Sequence, residues 1–146
     1  MEWTNKLIVN VIVVFDKKAN KMLMCKRRKD PYKGKFNMVG GKRKKCESPE
    51  NAAYRELFEE TGITKNDINL THVMDFNYYL EECLVEVFFG QLNDEFTVYG
   101  DENELFWLDI YKENYFDSLR FAGEGNIGHI LEIILLYKDK LDIRFN

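Results

Sequence analysis

The chain has 146 residues, with 25 acidic side chains against 21 basic ones, a formal net charge of −4 and 45% hydrophobic residues. That is enough for one domain with a real core and too little for two ordinary ones, so a single domain over residues 1–146 is expected. The acidic balance argues against a general nucleic-acid binder. No run approaches the ~20 apolar residues that span a bilayer, so no membrane partner is expected. Cys25, Cys46 and Cys83 are odd in number and lack metal-ligand spacing. They read as thiols in a reducing compartment, the cytoplasm.

Residues 7–15 are β-branched and almost wholly apolar, which predicts a buried central strand. They are too short for a leader peptide, and no small-residue cleavage site follows. A turn at Asp16–Asn20 leads to a second strand over 21–28, which ends in cations. Pro31 and Gly34 mark a loop, and a short strand over 36–39 delivers the chain to Gly40-Gly41. Residues 70–79 and 83–92 read as two antiparallel strands around a tight turn. An acidic loop over 93–104 carries a candidate short strand at Phe96–Tyr99, and 105–108 is another strand. Apolar residues at 127, 130, 131, 134 and 135 follow helical spacing and predict a helix over 126–138.

The stretch from Gly41 to Ile63 carries the chemistry. Ser48 is a helix cap, Pro49 suits the first helical position and Gly62 suits a left-handed stop, so a helix over roughly 49–61 is expected. Glu56, Glu59 and Glu60 then share one face at i, i+3 and i+4. Like charges so placed repel unless a cation offsets them, and Mg²⁺ takes carboxylate oxygens while keeping waters for substrate phosphates. Arg55 lies one turn before Glu59 and can hold a carboxylate in place, with Glu47 in the loop before the helix. Ala52, Ala53 and Leu57 give the helix an apolar side for packing on a sheet.

The spacing Gly41, Glu47, Arg55, Glu56, Leu57, Glu59, Glu60, Gly62, Ile63 resembles the Nudix box at every defined position. The resemblance implies the Nudix fold, an α/β architecture with a mixed β-sheet sandwiched between helices. It implies a divalent metal, Mg²⁺ with Mn²⁺ as the alternative, held by Glu56, Glu59, Glu60 and the Gly40 carbonyl. It also implies hydrolysis of a nucleoside diphosphate linked to a further group. Glu56 and Glu59 are the candidate general bases, with Arg55 and Glu47 as the other catalytic residues. Lys44 and Cys46 depart from common family residues, at positions the box leaves undefined.

The family often supplies one more metal-binding Glu before an aromatic strand, which points to Glu102 or, two residues on, Glu104, with Glu102 preferred. Ten cations fall between Lys26 and Lys45, suited to phosphate attraction. Arg27 matches the residue that grips substrate phosphates in nucleotide-cleaning members, and Lys42 follows the double glycine. Phe36-Asn37 is similar to the aromatic-Asn pair of members that hydrolyse oxidised purine nucleoside triphosphates, where the Asn bonds the purine. His72 and His129 read as structural histidines, and Asn126 as a helix start that can also meet a ligand.

The resulting expectation is a Mg²⁺-dependent pyrophosphohydrolase acting on a small-molecule nucleotide. The leading substrate is a purine nucleoside triphosphate, oxidised purines included, giving the monophosphate and pyrophosphate. ADP-ribose, dinucleoside polyphosphates and capped RNA ends are the alternatives, as is a non-catalytic module that senses nucleotides. The sequence leaves the oligomeric state open.

Overall fold

The computed structural model describes residues 7–100 and 102–140. The expected domain over 1–146 therefore includes residues 1–6, 101 and 141–146, which lie outside the described residues. Six strands and two long helices follow in the order β1 (Leu7–Phe15), β2 (Lys21–Lys26), β3 (Phe36–Asn37), α1 (Pro49–Thr61), β4 (Thr71–Tyr78), β5 (Cys83–Gln91), β6 (Glu104–Asp109) and α2 (Asn126–Lys140). They form one mixed sheet in the order β3-β2-β1-β5-β4, with β6 on β2. β1 and β5 run parallel from Leu7↔Cys83 to Phe15↔Gln91, and the remaining pairs are antiparallel.

Alternation along the strands builds two apolar layers. Ile12 and Val14 of β1, Leu23 of β2 and Phe88 of β5 pack with Ala53 and Leu57 of α1. Val13 and Phe15, Met22 and Met24, Val87 and Phe89 pack on the other face with Ile127, Ile130, Leu131 and Ile134 of α2. The result is the expected α/β/α sandwich. No helix among the described residues is long and apolar enough to cross a membrane.

The feature that makes room for a site is a fork. β1 and β2 pair only at Phe15↔Met22, next to their turn, and then separate. A strip of chain fills the gap. It leaves β2 at Cys25↔Asn37 and joins β1 through isolated bridges at Ile12↔Val39 and Val9↔Lys42.

Helix α1 has the expected bounds because its ends are local. Ser48 Oγ accepts from the Asn51 amide, and Gly62 stops the helix at φ 82° with its amide on the Phe58 carbonyl. Four expectations need correction. β2 stops at Lys26 rather than 28, where the chain turns into a loop closed by Arg27 and Lys35. β3 is only Phe36–Asn37, since Val39 has crossed to β1. α2 runs past 138 to Lys140. The short strand at Phe96–Tyr99 does not form; Phe96 and Val98 pack on the α1 layer and the Tyr99 amide bonds the Thr61 carbonyl.

Candidate active site

The strip presents two glycines to α1, and at Gly40 nothing larger fits. Val39 and Gly41 carbonyls accept from Ile12 and Asn10 amides of β1, at 2.8 Å each. Backbone groups of alternate residues point to opposite edges, so those of Gly40 and Lys42 face away from β1, into the cleft. The Gly40 amide lies 3.3 Å from Glu60 Oε2, and the Lys42 carbonyl accepts from Arg55 Nη2 at 3.0 Å. A Cβ on Gly40, at φ 145°, would overlap the Asn10 carbonyl, and one on Gly41 would overlap the Glu56 carboxylate.

Arg55 is the hub of the helix face. Its Nε and Nη2 take both Glu47 oxygens, at 2.6 and 2.9 Å, while Nη1 reaches Glu56 Oε1 at 2.9 Å and Glu59 Oε2 at 3.2 Å. One guanidinium thus gathers three of the expected carboxylates and a carbonyl of the glycine strip. The Arg55 bond and the Lys44 amide hold the Glu47 carboxyl well down, at about 2. Glu60 goes the other way. Burial, opposed by the Gly40 amide and reinforced by Glu56 and Glu102, pushes its carboxyl up to about 7.

Glu56, Glu59, Glu60 and Glu102 border one open cleft with Gly40, Gly41 and Lys42, and Arg27, Arg28 and Lys29 form its cationic rim. Glu104 is drawn into β6 opposite Lys26, which leaves Glu102 as the cleft residue. The cleft continues into a cavity of about 380 Å³ that shares Arg27, Gly40, Gly41, Lys42, Glu60 and Asn103 with it. The cavity walls are mostly apolar, from Val9, Phe76, Val85 and Ile130 among others, with the amides of Asn37 and Asn126 among the polar groups.

Two expected substrate residues sit differently from the simple picture. Asn37 borders the cavity, but its Oδ1 accepts from the Met38 amide at 2.8 Å, so its amide nitrogen is the more available group for a ligand. Phe36 borders neither cavity nor cleft. Its ring packs edge-on against Phe106 at 5.4 Å, with Arg120 and Lys26 over it, and as the neighbour of Asn37 on β3 it takes the opposite face of the strand.

Residue-by-residue reading passed over Asn103, Tyr32, Tyr78 and Asn10. Asn103 borders both spaces, and Tyr32 and Tyr78 share a hydroxyl–hydroxyl bond at the cavity edge. Asn10 is 2% exposed and its Oδ1 accepts from the Gly41 amide. Its signal was available, as the one polar residue in an apolar run. Of the histidines, His72 pairs with Asp75 at 2.6 Å and His129 meets the Phe116 ring.

Carboxylates on one wall and cations on the rim match a pyrophosphate link, whose oxygens need a counter-charge and whose hydrolysis needs a base for the attacking water. The class so defined is that of the pyrophosphohydrolases. The NUDIX domain model matches residues 4–117, and the chain belongs to the NUDIX family. It is 31% identical over 112 residues to an oxidized purine nucleoside triphosphate hydrolase of Danio rerio, covering 75% of this chain and 70% of that one. It is 46% identical over 46 residues to an ADP-ribose pyrophosphatase of Methanocaldococcus jannaschii, of which it spans only 27%. Among solved structures, a C. elegans Ap4A hydrolase superposes with a TM-score of 0.71 at 19% identity, over 90% of this chain and 98% of that one.

Proposed function

We propose that this protein is a Mg²⁺-dependent hydrolase of purine nucleoside triphosphates, oxidised purines included, that releases the monophosphate and pyrophosphate. The observation that carries the reading is the continuity of the cleft with a mostly apolar cavity that has the amides of Asn37 and Asn126 among its polar groups. Its volume of about 380 Å³ lies at the small end of ligand pockets and suits one nucleoside better than two. The similarity to the Danio rerio enzyme supports the same substrate class.

The donor set of the cleft is all oxygen: Glu56, Glu59, Glu60, Glu102 and the backbone of Gly40. That suits a hard cation, Mg²⁺ or Mn²⁺, and these residues would hold it. Once bound, the ion supplies phosphate charge neutralisation and a more acidic water. The protein's own groups do the rest. Arg55 sets the carboxylates of Glu47, Glu56 and Glu59 in one orientation. Glu56 or Glu59 takes the proton of the attacking water at a carboxylate oxygen. Arg27 and Lys42, shared by cleft and cavity, hold the phosphates at the junction. Asn37 reads the base through its amide nitrogen, with Phe36 packed on the opposite face of the strand. The thiols of Cys25 and Cys83, buried, and of Cys46, exposed, suit the cytoplasm.

A panel of dGTP, 8-oxo-dGTP, dATP, dCTP, ADP-ribose and diadenosine tetraphosphate, with pyrophosphate and phosphate read separately, tests the proposal. The expected result is fastest release of pyrophosphate from a purine triphosphate and none without a divalent ion. Preferred cleavage of ADP-ribose or the dinucleotide would overturn the substrate, and turnover in excess chelator would overturn the metal.

A further inference from the structure

Glu86 lies in the middle of β5 and is 4% exposed, the one acidic side chain among the described residues so deeply buried. It stands beside Asn10, its register partner on β1, and shares a sheet face with Phe88 in the α1 layer. Arg43 Nη1 donates to both its oxygens, at 3.2 and 3.1 Å. Arg43 belongs to the glycine strip, and its amide bonds the Ile8 carbonyl. The strip lies on the edge of β1 opposite β5, so the guanidinium reaches across β1 to find its partner.

A bulge in β4 completes the arrangement. Register shifts between His72 and Met74, so that His72 pairs with Phe88 and Asp75 with Glu86. Residues three apart on a regular strand face opposite ways; the shift brings both onto the face of Glu86. His72 Nε2 meets Asp75 Oδ1 at 2.6 Å, and its ring stacks on Phe88 at 4.5 Å. Ligand atoms of His72, Asp75 and Glu86 lie within 4.8 Å of one another, close enough for a metal ion. A cation already serves Glu86, however, and it is the guanidinium of Arg43.

We infer that Arg43 and Glu86 are positioning residues for the catalytic cleft, a tether that holds the Gly40-Gly41 strip at the height its metal-binding backbone requires. The Asn10 side chain, on the Gly41 amide at 3.0 Å, is the second point of the same tether. Backbone bonds secure the strip along its β1 edge alone. Arg43–Glu86 and Asn10–Gly41 add to the Arg55 bond on the Lys42 carbonyl and the Glu60 contact at the Gly40 amide, and anchor from the sheet side the strip that Glu56 and Glu60 must meet. Partners that orient a metal's ligands without touching the ion are worth about 10–100-fold in metal affinity or activity. Arg43 and Glu86 touch none of the cleft carboxylates and act only through the strip's backbone, so their share falls on affinity. This inference rests on the metal-dependent reading of the cleft.

The test compares the full-length wild type with Arg43→Met, Arg43→Lys and Glu86→Gln. Mn²⁺ dissociation constants are measured by calorimetry on substrate-free protein, beside the Mg²⁺ dependence of turnover and Tm. Arg43→Met should weaken Mn²⁺ binding by about 10–100-fold, with kcat at saturating Mg²⁺ little changed. Arg43→Lys should recover most of the loss. Glu86→Gln should behave as Arg43→Met does; if it fails to fold, the part-exposed Arg43 pair decides alone. An unchanged Mn²⁺ constant with only a lower Tm would make the pair structural, and a lost kcat at unchanged affinity would place Arg43 among the reacting groups. A wild type that neither binds Mn²⁺ nor needs Mg²⁺ would defeat the metal reading itself, which keeps the two failures apart.

Discussion

Arg55 grips Glu47 through two parallel hydrogen bonds, Nε to Oε2 at 2.6 Å and Nη2 to Oε1 at 2.9 Å, eight residues back across the helix start. The fork leaves Nη1 for Glu56 and Glu59. A lysine has one point charge and cannot span this set. Arg55→Lys should therefore keep the fold and lower kcat by about 10–100-fold, the usual scale for groups that orient ligands. Circular dichroism and steady-state turnover check it; a fully active Arg55→Lys protein would show that charge alone matters.

Glu59 is half-exposed and, among the described residues, held by the last arm of Arg55 alone, so its loss disturbs little packing. Glu59→Gln keeps the shape and removes the charge. The expected result is a drop in kcat of at least ~100-fold, the scale of losing one preorganised electrostatic group, with Tm nearly unchanged. Normal turnover in the folded variant would remove Glu59 from the reaction.

Glu60 should make the protein pH-sensitive. Its carboxyl titrates at about 7 when folded against 4.5 as a free side chain, because it is buried, with Glu56 and Glu102 nearby. The folded state then binds more protons between those values, so this group's contribution is full below pH 4.5 and is lost as pH rises toward 7. A bound cation needs the ionised form, so metal affinity should climb with pH through about 7 and then level. Calorimetric Mn²⁺ titrations from pH 5.5 to 8.5 read this slope. Glu60→Gln should flatten it, and an equal slope in the variant would assign the titration elsewhere.

Asn37 offers its amide nitrogen to the cavity while its oxygen serves Met38. It therefore favours a base edge that presents an acceptor, such as the carbonyl of a guanine or 8-oxoguanine. Leaving that acceptor unmet once the base is desolvated costs roughly 1–3 kcal/mol. Asn37→Ala should lower kcat/KM on dGTP and its 8-oxo form by about 10–100-fold and on dCTP by less. Equal losses on all three would reduce Asn37 to a loop-shaping residue.

Much of the site was legible in order along the chain, for a physical reason. The cap at Ser48, the stop at Gly62 and the shared face of Glu56, Glu59 and Glu60 depend on contacts within four residues or fewer. The strands announced themselves by composition, and their two-faced burial follows from alternation alone. What the tertiary structure decided lies between residues far apart. The splay of β1 from β2, the crossing of the strip from one to the other and the packing of Phe36 against Phe106 all arise where distant segments meet. So does the reach of Arg43 over β1 to Glu86, 43 positions away, and the bulge that turns His72 and Asp75 to the same face. A local pattern records propensity and period. It holds no record of which strand lies alongside which, and that pairing determines where a buried charge finds its partner.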